Sequence, residues 1–190
     1  MAKTSVEALK CKNSAVNSNG PRPIDKRQTP LLNRFYGSRV QMIHLIVSKT
    51  IESLDNAAQL LILGAGLDCS FDSLCDRVYA VDLPAVIKER NLKHDCQSIN
   101  ISADLQDVIS LEDNLSKNQF DFSRPTIVLI EVVLCYLKPQ YSSELLIFLK
   151  NKICSSAVIT LDPLIRNGCG YDASVFNFSS FLKYGFNKKG

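Results

Sequence analysis

Several things are missing from this sequence, and each absence closes off a class of protein. Its seven cysteines, at positions 11, 69, 75, 96, 135, 154 and 169, form no Cys-x-x-Cys pair. An odd, scattered set without zinc-ligand spacing does not read as a metal ribbon or a secreted disulfide framework. No apolar run is long enough to span a bilayer. The start, Met1-Ala2-Lys3-Thr4-Ser5-Val6-Glu7, has no apolar stretch of the kind a signal peptide needs. A soluble, reduced, cytoplasmic protein is therefore expected, without a resident metal. Charge of one sign is also scarce. A formal net charge of +3 over 190 residues, with no basic stripe, gives no footing for nucleic acid. Repeats and low-complexity blocks are absent. What remains is ordinary globular composition, 46% hydrophobic and 22% charged, at a length suited to one domain.

Residues 1–30 read as an irregular arm, with Gly20-Pro21-Arg22-Pro23 near the middle of a stretch rich in Asn, Ser and charge. Residues 31–190 read as a single domain. Val40, Ile43, Ile46, Val47 and Ile51 fall at helical spacing and predict an amphipathic helix over 39–54. Leu60-Leu61-Ile62-Leu63 is a short, wholly apolar run of the kind a buried parallel strand uses. Further strands are expected at 78–81, 98–102, 126–130 and 157–161, with helices at 84–90, 111–117 and 142–152 between them. Strands alternating with helices predict an α/β fold, a mainly parallel sheet with helices on both faces. Residues 167–190 carry a single weak helical signal over 173–184.

A sheet of that kind binds its ligand beyond the carboxyl ends of its strands. Gly64-Ala65-Gly66 ends the first core strand, where missing Cβ atoms permit a sharp turn and close approach to a ligand. On its own a Gly-x-Gly is equally an ordinary tight turn. The third glycine of a dinucleotide fingerprint would fall at Cys69, which disfavours NAD or FAD. Asp82 ends the second strand, Asp104 follows the third, and Glu131 interrupts the apolar run of the fourth. Apolar strands rarely carry a carboxylate unless it reaches solvent, a partner or a ligand. Each acid alone could be a solvated strand end or a cap. Together they suit a ligand with hydroxyls, an amine and a cationic centre but no phosphate, the chemistry of S-adenosylmethionine.

The order and spacing of several blocks carry a more specific signal. They are Asn33-Arg34-Phe35-Tyr36-Gly37-Ser38-Arg39, Leu63-Gly64-Ala65-Gly66-Leu67-Asp68, Val81-Asp82-Leu83-Pro84, Ala103-Asp104-Leu105-Gln106-Asp107 and Glu131-Val132-Val133-Leu134-Cys135-Tyr136-Leu137-Lys138-Pro139. Through them the chain resembles the leucine carboxyl methyltransferase family. The resemblance implies a Rossmann-like class I methyltransferase fold using S-adenosyl-L-methionine. It implies as substrate the C-terminal leucine carboxylate of a type 2A protein phosphatase catalytic subunit, whose tail is then the partner. By position it implies that Lys12 and Arg39 hold the methionyl carboxylate and Gly64 the methionyl backbone. Asp82 would take the ribose hydroxyls, Asp104 and Leu105 the adenine, and Glu131 the amino group. A tRNA wybutosine-synthesising methyltransferase of the same family, and a non-catalytic binding remnant, are the alternatives. A monomer without membrane or nucleic-acid contacts is expected in the leading reading.

No catalytic acid or base is expected, because a carboxylate nucleophile is already ionised near neutral pH. Cys11, Cys69 and Cys135 read as small, buried or neutral residues. His44 and His94 have no evident partner. Tyr136 reads as a core aromatic, with the substrate side as its other reading. The chain departs from the family at Phe35, where Gly is usual, and at Leu161-Asp162, where Tyr-Glu is usual. It is also shorter than family members, so an incomplete C-terminal end and doubtful turnover are expected.

Overall fold

Helix α1 covers Pro30–Ser53 in the computed structural model, which describes residues 30–92, 96–153, 157–161 and 180–182. It begins earlier than the apolar spacing alone indicated. Its buried stripe, Val40, Ile43, Val47 and Ile51, repeats every three or four residues and so lies on one side. Asp55 and Asn56 end it with φ of 53° and 56°, the left-handed conformation that turns a chain out of a helix. The N–H of Asn56 donates to the Ile51 carbonyl at 3.2 Å, satisfying one of the helix's last acceptors.

Strands β1 (Gln59–Leu63), β2 (Val78–Asp82), β3 (Ile99–Ser102), β4 (Thr126–Glu131) and β5 (Ala157–Leu161) form one parallel sheet. β6 (Ser180–Leu182) pairs antiparallel with β5, and the order is β3-β2-β1-β4-β5-β6. The edge beyond the fifth strand is therefore paired, and residues 180–182 lie in a strand where the sequence suggested helix. A sheet edge offers unpaired backbone groups, and this one outweighs weak local helical periodicity.

Helices α2 (Pro84–Arg90), α3 (Val108–Lys117) and α4 (Pro139–Lys152) connect the strands. Proline opens α2 and α4 at the first turn, where a missing N–H costs nothing. Asp107 caps α3 by accepting from the Ser110 N–H at 3.0 Å.

Alternation along the strands splits the core in two. Leu60, Ile62, Val78, Ala80, Ile127, Leu129 and Ile159 face one side with α1 residues Ile43, Val47 and Ile51. Leu61, Leu63, Tyr79, Val81, Ile101, Val128 and Ile130 face the other, against Leu111 and Leu115 of α3 and Leu145, Phe148 and Leu149 of α4. Helices thus cover both faces, as the run of apolar strands required. No helix among the described residues is long and apolar enough to cross a membrane.

Candidate functional site

The strand order reverses between β1 and β4. From β1 the chain moves outward to β2 and β3, then returns to the other side of β1 as β4. Crossovers leave in opposite directions at such a point, which in open parallel sheets is where a ligand crevice forms, at the carboxyl ends of the strands. Register places the candidate residues there. Leu63 is level with Val81 and with Ile130, so Gly64, Asp82 and Glu131 occupy the next position on three neighbouring strands. Asp82 and Glu131, the last residues of β2 and β4, follow the α1-facing parity of residues 80 and 129, while Gly64 turns out of β1 with a positive φ.

Arg39 joins them from above. It sits one turn before Ile43, continuing the 43, 47, 51 stripe toward the carboxyl edge of the sheet. Its guanidinium meets the Glu131 carboxylate at 2.8 Å, with both side chains mostly buried. Two charges placed this way across the switch point can each face a zwitterionic group of the opposite sign.

Gly64 and Gly66 both have positive φ, 71° and 59°. They differ in surroundings. A Cβ at Gly64 would overlap the Val133 side chain, whereas one at Gly66 would meet nothing within 4 Å. Gly64→Ala is therefore expected to cost about 2–4 kcal/mol, combining left-handed strain with overpacking. Gly66→Ala is expected to cost only the strain, about 1–2 kcal/mol. Chemical denaturation of the two variants checks the difference. Val132, directly after Glu131, also holds a positive φ of 54°, an outlying conformation for a β-branched residue. Backbone strain of this kind concentrates where a fold holds a functional geometry.

Asp82 is the most constrained acid of the set. One carboxylate oxygen accepts the Gly66 N–H at 2.7 Å, and the other accepts the Leu83 N–H at 2.7 Å. Burial pushes its carboxyl above the usual carboxylate range, against the opposing pull of those two N–H groups and of Arg90. The sign of the linkage follows. With the native pKa raised, Asp82 is protonated in the folded chain at pH values where it is ionised in the unfolded chain. Its ionisation subtracts stability, and stability is recovered as pH falls through the raised pKa. A ligand whose hydroxyls donate to the ionised form should bind at constant strength at pH values above the raised pKa of Asp82. Below the raised pKa of Asp82 its affinity should fall about tenfold per pH unit, with protons released on binding. Calorimetry across that range in buffers of different ionisation enthalpy measures both.

Asp104 lies two residues beyond β3 and is exposed. Its carboxylate accepts the Gln106 N–H at 3.0 Å, which shapes the turn into α3. Leu105 is buried in the α3/α4-side core, so only its backbone could face a ligand. Lys12 lies outside the described residues. The structure thus brings Gly64, Asp82 and Glu131 to one level at the carboxyl end of the sheet, with Arg39 paired to Glu131, and sets Asp104 and Leu105 beyond β3.

Other side chains depart from the sequence expectations. Tyr136 is 63% exposed in the short 3-10 turn Leu134–Tyr136 and not in the core. His44 stacks on Phe71, with ring centroids 4.3 Å apart. Cys69 and Cys96 form a disulfide, with Cα atoms 5.2 Å apart across 27 residues of sequence. This corrects the reading of Cys69 as a small neutral residue in a reduced chain. Spacing in sequence could not reveal a contact made by two loops that meet only when β1 and β3 take their places in the sheet.

Sequence reasoning also passed over Arg90 and Asp72. Arg90 is fully buried and pairs with Asp72 at 2.7 Å. It also donates to the carbonyls of Asp68 at 2.6 Å and Gly66 at 3.4 Å. It therefore braces the loop that follows Gly64. Its only sequence signal was a charge at the end of a helix with buried neighbours, which many solvated residues share.

A family model described as leucine carboxyl methyltransferase matches residues 2–150. The chain belongs to the leucine carboxyl methyltransferase family. Curated relatives agree. Leucine carboxyl methyltransferase 1 of Rattus norvegicus is 27% identical over 158 residues, covering 66% of this chain and 48% of that protein. The protein of the same name from Schizosaccharomyces pombe is 27% identical over a 226-residue alignment, covering 100% of this chain and 70% of its own length. The Leucine carboxyl methyltransferase 1 homolog of Arabidopsis thaliana is 29% identical over 171 residues, covering 74% and 51%. The chain spans about half the length of the rat and Arabidopsis members of the family.

Proposed function

We propose that this protein binds S-adenosyl-L-methionine and transfers its methyl group to a carboxylate, the C-terminal leucine carboxylate of a type 2A protein phosphatase catalytic subunit. The observation that carries the reading is the placing of Gly64, Asp82 and Glu131 at one level of the β1/β4 switch point, with Arg39 over them. That donor set suits the cofactor. Asp82 retains lone pairs for two ribose hydroxyls after accepting two backbone N–H groups. The space beside Gly66 leaves room for a group against the loop. Arg39 and Glu131 would take the carboxylate and amino group of the methionyl part, and Lys12 would assist Arg39. Asp104 and the Leu105 backbone would border the adenine.

When bound, the cofactor supplies an electrophilic methyl group on a sulfonium. The chain's own residues hold and orient. An ionised carboxylate needs no base, so alignment of the acceptor and exclusion of water are the main tasks. The tRNA enzyme belongs to the same family, so what supports the carboxyl acceptor is the similarity to relatives named leucine carboxyl methyltransferase 1.

Titration calorimetry of the full chain with S-adenosyl-L-methionine tests the first step, and micromolar binding is the expected result. No heat at any concentration sinks the cofactor assignment. Radiolabel transfer to phosphatase catalytic subunit, intact or lacking its terminal leucine, tests the second. Label is expected on the intact subunit alone. Binding without transfer would reduce the protein to a cofactor-binding module.

A further inference from the structure

The disulfide lies where it can act on the site. Cys69 belongs to the loop over residues 64–72, three positions after Gly66, whose N–H reaches the Asp82 carboxylate at 2.7 Å. Cys96 belongs to the stretch leading into β3. The same two segments are also joined without covalent bonds. The Asp72 carboxylate, from the loop, accepts the N–H groups of Gln97 and Ser98 at 3.1 Å each and the Ser98 hydroxyl at 2.7 Å. Those contacts hold the two cysteines in register whether or not the sulfurs are bonded. A thiol pair kept in place by its surroundings can open and close without refolding.

Cys69, Asp72 and Cys96 also stand close enough for a metal ion among the described residues. The chemistry argues against one. Asp72 carries the buried guanidinium of Arg90 at 2.7 Å on one oxygen and three donors on the other. A cation would have to displace that guanidinium or make do with two protein sulfurs, whereas structural zinc takes four ligands.

We propose that Cys69 and Cys96 form a reversible thiol–disulfide pair that clamps the 64–72 loop against the β3 entry and so tunes the crevice at Asp82. A glutathione-class disulfide is the oxidant. One cysteine thiolate attacks a sulfur of oxidised glutathione, breaking its S–S bond and releasing one glutathione thiolate. The second cysteine thiolate then attacks the protein sulfur of the mixed disulfide and releases the other. Two protein thiols are oxidised, one glutathione disulfide is reduced to two thiols, and the two protons go to solvent or to the leaving thiolates. With the bond closed, the loop that presents the Gly66 N–H loses freedom before any ligand arrives. That pre-organisation favours binding. The effect on cofactor affinity rests on the function proposed above; the clamp itself does not.

The test uses the full chain equilibrated in glutathione buffers from fully reduced to fully oxidised, then alkylated and digested for peptide mapping. A Cys69–Cys96 linked peptide should accumulate with oxidised glutathione and vanish with reductant. Amide hydrogen exchange over residues 64–72 should be slower in the oxidised protein, and its melting temperature higher by roughly 5 °C or more. Cys69→Ser should abolish the redox response. Cys75→Ser should leave it intact, since burial pushes the Cys75 thiol up and keeps it unreactive. S-adenosyl-L-methionine should bind about threefold to tenfold more weakly after reduction. Absence of the linked peptide at every glutathione ratio overturns the proposal. So does a linked peptide with unchanged loop exchange, or one zinc ion retained per reduced chain in native mass spectrometry. If neither redox form binds the cofactor, the proposed function fails, while the exchange comparison still decides the clamp.

Discussion

Arg90→Met is expected to destabilise the fold by about 3–5 kcal/mol, the cost of removing one partner from a buried ion pair. The guanidinium is fully enclosed and spends its N–H groups on Asp72, Asn100, Ser98 and the carbonyls of Gly66 and Asp68. Methionine fills similar volume but leaves the Asp72 carboxylate buried opposite an apolar chain. Two loop carbonyls lose their donor at the same time. Arg90→Lys should recover little, because a point charge cannot span a fork of five acceptors. Arg90→Met combined with Asp72→Leu should cost less than Arg90→Met alone, since no orphaned charge then remains. Urea denaturation of the three variants measures this. A loss under about 1 kcal/mol for Arg90→Met would show that the network contributes little beyond packing.

Asp82→Ala is expected to weaken S-adenosyl-L-methionine binding by about 100-fold, roughly 3 kcal/mol for two hydroxyl hydrogen bonds to a charged acceptor. The loss has two origins. The ribose would lose its acceptor, and the Gly66 and Leu83 N–H groups would lose the carboxylate that now accepts from them. Asp82→Asn keeps the shape and one acceptor oxygen, so an intermediate loss is expected, without the pH dependence of the wild type. Calorimetry on both variants, beside a melting curve that confirms folding, separates lost binding from lost structure. Equal affinity in Asp82→Ala and wild type would remove the residue from the site.

Local pattern carried far in this chain. The apolar runs at 60–63, 78–81 and 126–130 read as strands buried on both faces, and they are β1, β2 and β4 with two-sided cores. Pro84 marked a helix start, since proline is at ease in the first turn, and Pro139 opens α4 three residues before the expected 142. The acids at 82, 104 and 131 stood out because carboxylates are costly at the ends of apolar strands. What failed to show were relations between distant segments. Cys69 with Cys96, Arg90 with Asp72, and His44 with Phe71 are pairs whose members look unremarkable one at a time. Strand β6 belongs with them: three residues become a strand because β5 presents an edge to them.

The sequence by itself therefore determined the strand-and-helix alternation, the glycine turn and the row of carboxylates, because each follows from burial periodicity or local backbone limits. Only the tertiary structure decided that Gly64, Asp82 and Glu131 share one level and that Arg39 pairs with Glu131. It also decided that a scattered set of cysteines contains a bonded pair. The reason is physical. Periodicity reports which face of an element is buried, whereas register, strand order and loop contact depend on how faces from remote parts of the chain meet.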